Sequence, residues 1–313
     1  MRALCALAFC AFSVAAVLWL PSAGWLWAGL TAGAVAAVVA LGVWLRRRAE
    51  TDLTAFAGRS ALGRGALWLL SCWNFLILGA AAGHLCAAYP TGTPYPIVGL
   101  VLLLMAAWAA GKGAAEPAGA IVFFFVAGLY ALLLAFALPE TVATAPEWTP
   151  SWTLLPGALS PVCALWLCRP DGARTRVWPW LLGGVTLATL CALVCGDVDG
   201  DFPFYTMAQS LSIFGVVERF EPLVSVGLTA GGFCLLALLC SVNGRTLAVL
   251  LPQAGRGFAA GANFVGGCLG LWLSTRLSAP VLAVGTTIFW GFLPIGALLV
   301  ANRKKFEKNE KRC

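Results

Sequence analysis

The chain has 313 residues, 61% hydrophobic and 11% charged, with a formal net charge of +7 and a mean hydropathy of +0.89. Soluble proteins carry about 25% charged residues, so this composition lacks the polar surface to cover a globule, while its apolar content excludes disorder and its glycines lack the collagen period. A polytopic membrane protein remains, and its charge has to be read by position along the chain rather than as affinity for nucleic acid.

A helix crosses the hydrocarbon core with about 20 apolar residues. In chain order, segments of that kind occur at 3–20, 25–45, 66–88, 95–110 and 118–138, then at 152–168, 177–195, 222–242, 258–275 and 279–301. The expectation is a single all-α membrane domain over 1–313, with ten transmembrane helices and both termini inside. With the N-terminus inside, the inner segments carry Arg2, Arg46, Arg47, Arg48, Arg59, Arg64, Lys112, Arg169, Arg174, Arg176, Arg245 and Arg256. The tail 302–313 adds Arg303, Lys304, Lys305, Lys308, Lys311 and Arg312, and only Arg219 and Arg276 fall on the outer side. One missed span would invert every later loop, so this asymmetry supports the count through the positive-inside rule.

The first segment has a second reading. Arg2, the apolar run and Ser22-Ala23-Gly24 resemble a secretory signal with small residues at its cleavage site. Cleavage would leave nine spans and move the new N-terminus outside without moving any later loop. The length of the run favours a retained span.

Further along, His84 stands near the outer end of the third segment, and Asn74 within it is a polar residue and a ligand-binding candidate. The outer loop 139–151 holds three prolines, two acids and no base. The sixth segment is interrupted by Pro156-Gly157-Ala158-Leu159-Ser160-Pro161, where proline cannot complete the helical ladder. Interruptions of this kind leave backbone groups free for a solute near the bilayer midplane, which makes Gly157, Ser160 and Pro161 ligand-binding candidates. The corresponding place in the first segment offers only Phe12-Ser13-Val14, with Ser13 as its candidate. The outer stretch 203–221 has helical character without a full span of apolar residues and reads as an interfacial or re-entrant helix. Ser225 and Thr229, four apart on the eighth segment, share a face and form a possible ion site.

None of the ten segments contains Asp, Glu, Lys or Arg, which argues against a buried carboxylate relay and against an intramembrane hydrolase. Twelve cysteines are present, at 5, 10, 72, 86, 163, 168, 191, 195, 234, 240, 268 and 313, with no CxxC pair and a single histidine in the chain. That spacing indicates small hydrophobes rather than a metal or dithiol centre. No catalytic residue, metal or cofactor is expected.

Ser212-Ile213, followed by Val216-Val217-Glu218-Arg219-Phe220-Glu221-Pro222-Leu223, resembles the signature of the spore germination permease family, the GerAB-type B subunits of germinant receptors. Leu20-Pro21, Thr93-Pro94, Gly111-Lys112-Gly113 and Leu154-Leu155-Pro156-Gly157 are similar to that family in the same order. The resemblance implies the amino acid–polyamine–organocation transporter fold: two inverted five-helix repeats with broken first and sixth helices around a pocket for a small amino acid or similar solute. It further implies a multi-pass protein of the spore inner membrane, with an A subunit and a lipoprotein C subunit as partners. The outer helix 203–221 would act as a lid, with Glu218, Arg219 and Glu221 as gate or subunit contacts. Two alternatives stand beside a solute-sensing subunit: a secondary amino-acid transporter, and a degenerate scaffold that binds no ligand.

Overall fold

A computed structural model describes residues 3–18, 53–87, 95–137 and 221–310, with isolated positions between 33 and 44 and Gly183. All regular structure among the described residues is helical. The helices are α1 (Ala3–Leu18), α2 (Leu53–Arg59), α3 (Ala61–Ala87), α4 (Tyr95–Lys112), α5 (Ala115–Ala137), α6 (Glu221–Leu250) and α7 (Arg256–Ser274). They are followed by α8 (Ala279–Thr286), a π-helical segment over Thr287–Phe292, and α9 (Leu293–Glu310). Five stretches are long and apolar enough to cross a membrane: α3, α5, α6, α7 and the continuous run Ala279–Ala301, with shorter apolar helices at Ala3–Val14 and Ile97–Lys112. The sixth expected span lies outside the described residues, the seventh is described only at Gly183, and the second only at isolated positions.

Helix ends follow local chemistry. Ser60 opens α3: its hydroxyl accepts the Gly63 N–H at 3.0 Å, and its carbonyl accepts the Arg64 N–H at 3.1 Å. Gly113, at φ +71°, closes α4. The Gly113 N–H donates to the Ala110 carbonyl and the Ala114 N–H to the Ala109 carbonyl, the paired bonds of a Schellman turn. Helix α6 continues eight residues past the expected end at Val242 and stops at Leu250, because Pro252 disfavours helical geometry at the residue before it. Ser278 precedes α8, with a proline in the first turn.

The exterior is apolar and the interior holds the polar side chains, as lipid solvation requires. Ile121 and Phe124 on α5 are 78% and 75% exposed, and Trp108, Leu269, Trp272 and Phe292 also face outward. Inside, α3 and α6 pack against each other and against α4 and α7, while α1 lies against α5 and α6. Association of helices in lipid depends on close packing rather than on hydrophobic burial, and small residues supply it. A Cβ on Gly79 of α3 would fall within the backbone of α7 at Gly267–Leu271, and one on Gly270 would meet the Phe75 carbonyl. These two helices therefore cross backbone to backbone. On α1, Leu7 occupies the space that a side chain at Gly119 of α5 would need, and Val14 occupies that at Gly231 of α6.

Two findings depart from the sequence expectations. Helix α1 runs unbroken through Phe12-Ser13-Val14, so the break implied for the first helix is absent; nothing there except Ser13 competes with the helical ladder. The segment 46–65, expected only as an inner loop, contributes α2, whose Leu53, Phe56 and Ala57 are buried against α3.

Candidate functional site

Apart from Ser13 and Thr246, which bond back within their own helices, the buried polar side chains form two sets of bonds between helices. In the first, the Ser71 hydroxyl on α3 donates to Asn243 Oδ1 on α6, and Asn243 Nδ2 donates to Asn263 Oδ1 on α7 at 2.9 Å. Asn263 Nδ2 then donates to the Cys240 carbonyl at 2.9 Å. Asn243 and Asn263 are each only 1% exposed. In the second set, Trp290 Nε1 donates to Asn74 Oδ1 at 2.6 Å, and Trp73 Nε1 donates to Thr286 Oγ1 at 3.3 Å. The Trp73 and Phe289 rings stack 4.9 Å apart. Helix α3 is common to both sets: Ser71 and Asn74, three residues apart, face α6 and the π-helical segment respectively.

The first set ends at a cavity of about 340 Å³ between the α4–α5 turn and the α6–α7 turn, to which Asn263 and Cys240 contribute lining. Arg245 of α6 donates to Glu116 of α5 across it at 2.9 Å, both side chains being partly exposed. Arg256 also lines this cavity, and the surrounding residues are mostly Gly and Ala. Charge counting places both turns on the inner side, and the fold brings them together at one end of the molecule.

Some of the sequence-derived candidates lie among the described residues. Ser13 is buried, with its hydroxyl donating to the Cys10 carbonyl on its own helix at 3.0 Å. Asn74 is the acceptor for Trp290. Thr229 Oγ1 donates to the Ser225 carbonyl at 2.7 Å, the ordinary back-bond of a helical threonine, and both residues are half-buried. Glu221 is the first residue of α6. Gly157, Ser160, Pro161, Glu218 and Arg219 lie outside the described residues. Among the described residues no group of His, Cys, Asp and Glu is arranged to hold a metal ion.

Sequence reasoning missed Asn243 and Asn263. Asn263 is a buried amide inside the ninth apolar segment, and Asn243 was cut off by the assumed end of the eighth. Two asparagines in otherwise apolar helices were the available signal, because an amide in lipid needs an internal partner. No protein-family model matches the chain, and no curated protein matches it.

Proposed function

We propose that the chain is a ten-span, transporter-like membrane protein built as two inverted five-helix repeats, which senses a small amino acid or similar solute as a subunit of a spore nutrient germinant receptor. One observation carries the architectural part. In the ten-span count α3, α4, α6 and α7 are the third, fourth, eighth and ninth spans, so an inverted repeat exchanges α3 with α6 and α4 with α7. Among these four helices α3 packs on α7 and α6 on α4, contacts that the exchange converts into each other. The α3–α4 and α6–α7 contacts are likewise an exchanged pair, while α3–α6 and α4–α7 map onto themselves. Packing that respects the exchange is what two inverted halves produce.

The sensing role rests on the sequence. The interrupted sixth span supplies Gly157, Ser160 and Pro161 to the solute, and the Glu218-Arg219-Phe220-Glu221 motif caps the outer side. Solute binding favours the lid-closed arrangement, by no more than its difference in affinity for the two states, and passes it to the A and C subunits.

The purified chain in proteoliposomes, given labelled amino acids singly, tests this. Saturable binding without gradient-driven accumulation, weakened by Ser160→Leu, is the expected result. Accumulation against a gradient would make the protein a secondary transporter, and absence of binding to every amino acid would leave it a scaffold.

A further inference from the structure

The geometry points to the cavity between the α4–α5 and α6–α7 turns as a binding site for an anionic phospholipid of the inner leaflet, its phosphate held by Arg256. This inference rests on the cavity and the charge distribution, and does not depend on the solute-sensing role.

The charges come first. Arg245 and Arg256 line the cavity together with one acid, Glu116. Glu116 is engaged by Arg245 at 2.9 Å, whereas Arg256 has no carboxylate partner among the described residues. Lys112, adjacent to the lining residues Gly111 and Gly113, adds a further positive charge at the same mouth. The cavity therefore carries a net positive field, and its two turns belong to the segments that charge counting assigns to the inner side. Basic pockets between spans on that side attract anionic headgroups.

Backbone donors reinforce the side chains. Helix α7 starts at Arg256 after Gly255, which has no side chain to cap it, and its first backbone bond inward is Ala259 N–H to the Gly255 carbonyl. The N–H groups of the first turn, Arg256 to Phe258, therefore have no intrahelical acceptor. A Cβ on Gly255 or Gly257 would meet nothing within 4 Å, so that side of the first turn is open to an anion.

The apolar flank selects a lipid over a free anion. Phe258 lines the cavity and is 54% exposed. Val265, Leu269 and Trp272 continue from it along the same face of α7, at 7, 11 and 14 residues' separation, and all three are exposed. A headgroup in the cavity thus places its acyl chains on a ready stripe. An inorganic phosphate gains nothing from that stripe.

The test is the thermal stability of the full-length protein in neutral detergent, titrated with phosphatidylglycerol, phosphatidylcholine or inorganic phosphate. Phosphatidylglycerol is expected to raise Tm saturably, and the other two to leave it unchanged. Arg256→Gln should weaken the phosphatidylglycerol response about fivefold, the worth of one basic side chain near an anionic surface. Arg256→Lys should retain most of the response, and Arg276→Gln, at the opposite end of α7, should retain all of it. An equal response to phosphatidylcholine, an equal response to inorganic phosphate, or an unchanged midpoint in Arg256→Gln would each overturn the proposal.

Discussion

At the scale of single residues, stability is concentrated in a few amides. Asn243 Nδ2 donates to Asn263 Oδ1 where each side chain is 1% exposed, so losing one leaves a buried polar atom of the other without that partner. Asn263→Leu is expected to destabilise the protein by about 1–2 kcal/mol in detergent unfolding. A double-mutant cycle with Asn243→Leu should give a coupling of about 0.6–1.7 kcal/mol, the range found for hydrogen bonds between membrane helices. A coupling near zero would mean that the two amides are solvated independently. The sequence marked Asn74 for attention because it sits in mid-span. It gave no hint that the partner would be Trp290, 216 positions away, since a tryptophan in a membrane segment is ordinarily read as lipid-facing or interfacial. Partner choice is a property of packing, and no local pattern carries it.

At the scale of elements, the α3–α7 crossing is the tightest in the described fold and is set by the absence of side chains. Gly79→Ala or Gly270→Ala inserts a methyl group into opposing backbone and should cost about 1–3 kcal/mol in unfolding measurements. Gly296→Ala, where the added Cβ meets open space, should be neutral within about 0.5 kcal/mol. Equal effects at all three positions would show that the crossing is looser than described. Helix existence was readable from apolar runs, and α4, α5 and α7 begin within three residues of their expected starts. The ends were less readable where a polar residue was taken as a boundary: α6 carries Asn243 and Arg245 onward because the first is bonded to α3 and α7 and the second is paired with Glu116. The π-helical turns at Thr287–Phe292 had no sequence signal, as their register is fixed by Trp73 and Asn74 from α3.

At the scale of the whole molecule, the packing of α1 is open to a direct test. The helix is held on two sides: the Cys10 thiol donates to the Gly119 carbonyl of α5 at 3.9 Å and adjoins the Cys234 thiol of α6. Copper–phenanthroline oxidation of membranes is therefore expected to join Cys10 to Cys234 in a disulfide, with oxygen as the oxidant. Proteolysis between the two should then leave the fragments linked until reduction, and Cys10→Ser should abolish the link. Fragments that separate without reductant would mean that the segment is removed or packed elsewhere. Global features were legible to the extent that charge and hydropathy set them: the apolar exterior and the clustering of Lys112, Arg245 and Arg256 at one end. The order of helix neighbours was not, because in lipid any apolar face suits any other and only the glycine positions and the buried polar partners discriminate.

The π-helical turns in the last span have one more consequence. A π segment accommodates an additional residue without lengthening the span, and each residue in a regular helix advances the facing direction by about 100°. The halves of this span are thus out of phase: Thr286 and Trp290 bond Trp73 and Asn74 of α3, and α9 beyond them packs against both α2 and α3. Removing one residue from Thr287–Phe292 would restore a uniform helix and turn the backbone of α9 by about 100° relative to α8. Six residues thus set the phase between the two halves of the span.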